Sequence, residues 1–344
     1  MKIRGIGKLQ RVVRRVQKQL ATKSWILMYH RVAEVDVDPW CLCVSPQHFA
    51  EQLEVLQEYT SPLSLTQFVE LHRGGQVPQN SVVVTFDDGY ADNLYNAKPL
   101  LERYHIPATV FISTGYIGQG RNFWWDELES LLLRPGELPE ILRLNISGKT
   151  HCLELGDAAY YSEEQYRHDR DQPAWQATPN SRLFFYYSVW QLLRPLADSD
   201  RQQILDEIAI WAAIASLAPT AHRPLSLEEL VTLAQGNLIE IGAHTVTHPS
   251  LSTHPRVIQQ EEIQQSKADL ERILSCPVTS FSYPFGDYGT ETVELTQSAR
   301  FACACSTVED SVWRRSDRFQ LPRFSVQNWN GEDFRKQLLR WLHD

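Results

Sequence analysis

The chain has 344 residues, 43% of them hydrophobic and 22% charged, with a formal net charge of −9. Those totals suit a globular protein with a full core, either one large α/β domain or one domain with a sizeable insertion. Eight of the 33 Lys and Arg fall in residues 1–23 without an acid, leaving 25 against 42 Asp and Glu in the remainder; so acidic a body is a poor nucleic-acid binder.

The basic N-terminal stretch lacks the unbroken apolar run of an export signal. Nowhere do 18 consecutive apolar residues occur, so no transmembrane helix is expected. Ile6, Leu9, Val13, Val16 and Leu20 recur at helical spacing with basic residues on the flanks. Residues 1–23 are therefore predicted to form an amphipathic helix, which either lies on an anionic membrane or a partner, or docks on its own domain.

Beyond it, short apolar runs alternate with helical patterns. "SWILMYH" reads as a strand. "SPQHFAEQLEVLQEY" reads as a helix with Ser45 as N-cap and Pro46 at its first position, and "SLTQFVELHRGG" as a shorter helix closed by glycine. "SVVVTF" and "ATVFIS" are predicted strands flanking the helix "ADNLYNAKPLLERY". The rhythm breaks at about 119–228, a segment read as a largely helical insertion. It resumes with the strand "LIEIGAH", a long helix over "PRVIQQEEIQQSKADLERIL", the strand "VTSFSYPFG" and the helix "TETVELTQSAR". The strands "FACACS" and "LPRFSV" and a closing helix complete the chain. Alternating strands and helices imply βαβ units and a mostly parallel sheet, and about seven strands suit a closed barrel better than an open sheet.

None of the six cysteines forms a C-x-x-C, and Cys303 and Cys305 alternate along one strand as small core residues. Without an export signal all six read as reduced thiols, which places the protein in the cytoplasm, with peripheral contact at the inner membrane face through residues 1–23 as an option.

"SVVVTFDDGYAD" sets two adjacent carboxylates, Asp87 and Asp88, at the end of a buried strand. Two like charges so placed require a positive partner. "IEIGAHTVTHPSL" puts His244 at a strand end and His248 four residues on, so that two imidazoles and one carboxylate can share an ion and leave positions open for water and substrate. His30, the Asp pair, His244, Tyr283 to Gly286 and Arg323 all lie at or near predicted strand ends, the face on which α/β barrels build their sites.

"TFDDGY", "HTVTHPSL" and "YPFG" closely resemble three signatures of the polysaccharide deacetylase family, the NodB-homology domain of carbohydrate esterase family 4. "LMYHRV" and "LPRF" resemble the branch whose catalytic histidine precedes the Asp-Asp motif. The resemblance covers roughly residues 24–118 and 229–342, within a deacetylase domain taken as 24–344. It implies a distorted (β/α)7 barrel that removes acetyl groups from N-acetylated sugars. By motif position it implies Asp88, His244 and His248 as ligands of a divalent metal, Zn²⁺ first and Co²⁺ or Ni²⁺ as substitutes, and Asp87 as the general base. It further implies Arg323 as the partner that orients Asp87, a backbone N–H near Tyr283 as an oxyanion donor, and His30 as proton donor, with His343 as the alternative donor. Tyr90, Trp124, Trp125, Pro284 and Phe285 are expected to line the sugar site. The chain departs from the family pattern where Tyr283 stands in place of an arginine. The rival readings are a carbohydrate O-acetyl esterase and a sugar-binding barrel without turnover.

Overall fold

The computed structural model describes residues 23–170, 172–214 and 223–343. The amphipathic pattern of residues 1–22, and any membrane contact made through it, lies outside the described residues. Seven parallel strands form the frame: β1 (Ser24–Tyr29), β2 (Ser81–Phe86), β3 (Ala108–Ile112), β4 (Ile239–Ala243), β5 (Ser280–Ser282), β6 (Cys303–Cys305) and β7 (Phe324–Ser325). Their spatial order is β6-β5-β4-β3-β2-β1-β7, with the two-residue stretch Ser61–Pro62 added beside β2. They are the seven strands legible in the sequence, curled into an open barrel. β6 and β7 share no ladder; a bridge between Cys305 and Leu321 and the bond from Arg323 N–H to Val308 O span the gap.

Apolar strands buried on both faces follow from parallel pairing with helices outside. In β1 and β2 every residue is buried. One face packs on α1 (Pro46–Tyr59) and its neighbours, where Phe86 stacks on Tyr29 and meets Phe49 edge-on. The other face fills the barrel with Ile26, Val83, Phe111, Cys303 and Cys305. Ser45 caps α1 by accepting from His48 N–H, and α2 (Leu65–Gly74) ends on Gly75 in the left-handed region. The stretch after β2 is a π-turn, Asn93–Ala97, running into α3 (Lys98–Tyr104).

Residues 119–228 contain α4 (Trp124–Leu132), α5 (Arg182–Leu193) and α6 (Asp198–Trp211) and, beyond the helices expected, an antiparallel hairpin of Ile141–Ile146 and Lys149–Glu154. The hairpin forms because Ser147 and Gly148 both adopt positive φ, 52° and 77°, the requirement of a two-residue turn that follows the strands' twist. Together these elements bury a second hydrophobic cluster built on Phe123, Trp124, Leu128, Tyr186 and Leu205, which extends to Tyr90 of the frame. On the far side, α7 (Arg256–Leu274), α8 (Thr290–Ser298) and α9 (Gly331–His343) follow β4, β5 and β7. No helix among the described residues is long and apolar enough to cross a membrane.

Candidate active site and metal centre

Alternation along β2 turns Thr85 and Asp87 into the barrel while Phe86 faces the helices. Arg323, fully buried just before β7, meets them from the opposite edge. Its Nη1 donates to Asp87 Oδ1 (2.7 Å) and to Thr85 Oγ1 (3.1 Å), and its Nη2 to Asp87 Oδ2 (2.6 Å) and Ser282 Oγ (2.9 Å), while Nε is held by Ser306 O (2.9 Å). Ser282 Oγ in turn donates to Asp87 Oδ2 (3.3 Å). Burial by itself raises the Asp87 carboxyl, but the Arg323 charge and its two-pronged bond outweigh this and hold it well below the usual carboxylate range. Asp87 is thus a fixed anion. Oδ2 accepts two bonds and Oδ1 only one, so Oδ1 keeps a lone pair for a proton.

The next residue points elsewhere because the strand ends in a turn. Asp88 has φ 75° and Gly89 φ 92°. That φ at Gly89 is one L side chains rarely adopt, and a Cβ there would also stand 2.7 Å from Ile112 Cδ1, so glycine is favoured. The turn swings Asp88 Oδ1 to 3.5 Å from His244 Nε2 and 3.3 Å from His248 Nε2. The two imidazoles are brought together by a loop, not a helix. Glu262 of α7 accepts the N–H of both Val246 (2.7 Å) and Thr247 (2.9 Å), and His248 takes φ 54°.

The donor set fits a divalent ion on three observations. First, two ligands of a tetrahedral ion at ~2.0–2.1 Å stand about 3.3–3.4 Å apart, close to the separations found here. Second, His244 Nδ1 lies 2.8 Å from Ser282 O, which can only accept; Nδ1 therefore carries a proton, which leaves Nε2, on the Asp88 side, as the nitrogen that would bind an ion. Third, burial and then the neighbouring His244 push His248 well below the ordinary imidazole value, so it is a neutral donor. Around His244, burial is outweighed by Asp87 and Asp88, which raise its pKa; the two carboxylates favour a positive charge at this spot. Among the described residues these three form the cluster able to hold a metal.

Asp87, Asp88, His244 and His248 open on one cleft of about 240 Å³, lined also by His30, Trp40, Leu42, Trp125, Trp190, Arg194, Phe285 and Thr307. A larger hollow of about 440 Å³, lined by residues of the 33–45 segment, Arg170 and residues 327–329, contains none of the motif residues. Of the expected residues, His30, Trp125 and Phe285 face the cleft; the Phe285 ring is 4.4 Å from that of His248, and Trp125 4.7 Å.

Besides Arg323, fully buried behind Asp87, four expected site residues lie outside this lining. Tyr283 follows Phe281 on the outer face of β5: its N–H bonds Cys305 O, its hydroxyl bonds Phe319 O, and its ring stacks on Tyr288. Trp124 is buried against Trp190, with Arg201 over its ring. Tyr90 sits beneath Trp125, accepting its indole N–H (2.7 Å) and donating to Asp126 (3.2 Å). Pro284 is a buried turn residue. The backbone of α9 ends at His343, whose side chain is outside what is described. Sequence reasoning missed Trp40, Trp190, Arg194 and Thr307, which come from loops and from residues 119–228 and carry no spacing signal.

A model of the family "Polysaccharide deacetylase" matches residues 74–175 and 203–304. A Staphylococcus epidermidis protein named poly-β-1,6-N-acetyl-D-glucosamine N-deacetylase is 30% identical over 127 residues, 37% of this chain and 37% of that protein. A Staphylococcus aureus protein of the same name is 38% identical over 77 residues, 22% of this chain and 27% of that one. The chain therefore matches well under half the length of these relatives. Among solved structures, the Streptococcus pyogenes deacetylase PplD in complex with acetate covers 94% of this chain and 100% of its own with a TM-score of 0.57 at 18% identity. The structure of IcaB from Ammonifex degensii covers 94% and 98% with a TM-score of 0.57 at 17% identity, so both show a shared fold. The matched stretches of the family model span more than half of the sequence, and the chain belongs to the polysaccharide deacetylase family.

Proposed function

We propose that the protein is a metal-dependent N-deacetylase acting on an N-acetylated glycan, the class of substrate named for its Staphylococcus relatives. One observation carries this reading. A second carboxylate, Asp87, stands beside the three-donor cluster in the same cleft and is oriented by Arg323 instead of joining the cluster. A binding module has no use for it; hydrolysis does.

Asp88, His244 and His248 would hold the ion. A divalent cation there, with Zn²⁺ favoured by the His-His-Asp set, supplies Lewis-acid activation of water and of the amide carbonyl. The residues of the chain do the rest. Arg323 and Ser282 hold Asp87 so that the free lone pair of Oδ1 accepts the proton of the attacking water. The backbone N–H of Phe285, at φ 57° in the "YPFG" turn, is the donor we assign to the developing oxyanion, since the N–H groups of Tyr283 and Gly286 are already bonded. His30, half-buried on the cleft wall, protonates the leaving nitrogen as the C–N bond breaks, giving acetate and a free amine. The six cysteines are free thiols, which supports a reducing compartment.

Acetate release from a panel of N-acetylated and O-acetylated glycans, read together with metal content, tests the reading. His244→Ala and His248→Ala should lose stoichiometric metal. Asp87→Asn should keep the metal and lose about 10²–10⁴-fold in turnover. Release from O-acetyl substrates alone would make the protein an esterase, and metal retained in both histidine variants would sink the ligand assignment.

A further inference from the structure

The wall of the cleft built by residues 119–228 holds a cation that the protein leaves unneutralised. Arg194 follows α5 and lines the cleft. Its guanidinium carbon lies 4.6 Å from the ring centre of Phe285 and 5.4 Å from that of Trp190, and its Nε donates to Ser250 Oγ (3.1 Å). Nη1 and Nη2 make no hydrogen bond, and no ion pair, to any described residue. Some arginines are matched with acids, among them Arg121 with Asp198, Arg223 with Glu229, Arg256 with Glu291 and Arg323 with Asp87, while others reach solvent away from the cleft or bond carbonyls, as Arg182 does. What distinguishes Arg194 is its place: it is the arginine that lines the cleft of Asp87, Asp88, His244 and His248, and it does so without an acid partner among the described residues.

The charge is not needed for the catalytic groups. Asp87 is neutralised by Arg323, and Asp88 by the histidines and the cation they would share with it. The side chain is also already ordered. Two aromatic faces and Ser250 fix its plane, so little rotamer entropy remains to be lost when Nη1 and Nη2 engage a ligand. A rigid, half-desolvated two-pronged donor matches an anion with two oxygens.

We infer that Arg194 is a specificity residue that receives an anionic group, a carboxylate or a phosphate, carried by the glycan close to the acetamido group that is cleaved. The inference rests on the deacetylase reading above and adds the charge of the substrate to it.

The test uses the full-length protein loaded with Zn²⁺ and three probes: a neutral N-acetylglucosamine disaccharide, N-acetylglucosamine joined to a uronic acid, and N-acetylglucosamine 1-phosphate. The ratio of kcat/KM for an anionic probe to that for the neutral probe should exceed one. In Arg194→Gln it should fall by roughly 10–100-fold, the range of charge-assisted hydrogen bonds. Arg194→Lys should keep part of a phosphate preference, which a point charge serves, and lose a carboxylate preference, which needs the fork; the arm that responds names the source of the anion. Calorimetric binding of the same probes to Asp87→Asn gives a readout independent of turnover: anionic probes should bind more tightly, and less so at high salt. A ratio near one in the wild type, or equal losses on all three probes in Arg194→Gln, overturns the inference and leaves Arg194 a structural clamp on Ser250. Should Arg194→Gln not fold, Arg194→Met and the wild-type binding series decide. If no probe releases acetate, the deacetylase reading fails, while the calorimetric preference still decides the anion subsite.

Discussion

Asp126 offers a test of the physics that joins residues 119–228 to the barrel. It is the third residue of α4 and only 9% exposed. Its Oδ1 accepts from Tyr90, and its Oδ2 has no partner. Burial pushes its carboxyl from the ordinary 3.8 to about 7, against the pull of Arg31 and the Tyr90 hydroxyl. The folded state therefore holds this proton more tightly than the unfolded chain does. Stability contributed by Asp126 is complete below pH ~4, is lost as pH rises to about 7, and is flat above. Three pH units at 1.36 kcal/mol each give roughly 4 kcal/mol over the whole window, and about 3 kcal/mol between pH 5 and pH 8. Asp126→Asn cannot ionise and keeps an oxygen for Tyr90. Relative to wild type it should gain about 3 kcal/mol on going from pH 5 to pH 8, on top of any constant offset from its unpartnered NH₂ group. Urea unfolding at 25 °C across this range, with a chelator present so that metal binding adds no pH dependence, measures the difference. A difference that stays flat from pH 5 to pH 8 would refute the reasoning: Asp126 would then be solvated or paired when folded.

Arg323→Met leaves Asp87 buried without its counter-charge and should destabilise by about 3–5 kcal/mol, with Arg323→Lys in between because it keeps the charge and loses the fork; a melting temperature for Arg323→Met equal to wild type would contradict the pairing. Gly89→Ala must place a Cβ against Ile112 at a φ that L residues avoid. It should destabilise by ~1–2 kcal/mol and weaken Zn²⁺ binding by shifting Asp88, which equilibrium dialysis and urea unfolding read together. His30→Ala should fail on an N-acetyl sugar yet retain cleavage of an activated phenyl acetate, whose leaving group needs no proton; equal losses on both would make His30 a binding or structural residue.

The frame was legible because parallel strands buried on both faces must be continuous apolar runs, and "SVVVTF", "ATVFI" and "SWILMY" admit little else. The convergence of the Asp pair, His244 and His248 was legible for a related reason: the Asp pair and His244 stand where strands end, His248 follows four residues on, and parallel strands end on one side. The hairpin at 141–154 escaped notice although its signal is present. "ILRLNI" alternates, burying Leu142 and Leu144, and "SG" is a turn pair, but the run lies in a polar stretch without the apolar density of the frame. Tyr283 shows the limit of motif position alone. The motif marks the right turn, but the two-residue alternation of β5 sends Ser282 inward to Asp87 and Tyr283 outward to Phe319. The rest of the aromatic and cationic wall was unreadable because Trp40, Trp190 and Arg194 join the expected Trp125 only after two separate segments fold over the barrel mouth.

This division has a mechanistic consequence. The groups assigned to chemistry hang on strand ends and the loop after β4, where Arg323 and Ser282 fix Asp87 through buried hydrogen bonds and Glu262 holds the histidine loop through part-buried ones. The groups that shape the rest of the cleft belong largely to residues 119–228 and the loop after β1. They rest on a hydrophobic cluster of their own, joined to the barrel through Tyr90, through Arg194 on Ser250, and through Arg201, whose Nη2 donates to Thr247 O (3.0 Å) in the histidine loop. Two cores with few shared polar links can change separately. Substitutions at Trp190 or Trp40 should therefore move KM among glycans while metal affinity stays near wild type, whereas substitutions at Arg201 should disturb both, because Arg201 is fully buried between Trp124 and the loop that carries His248. Zn²⁺ affinity measured beside KM for the three positions separates recognition from chemistry. A loss of metal in Trp190→Ala as large as in Arg201→Ala would show that the wall and the catalytic floor form a single cooperative unit.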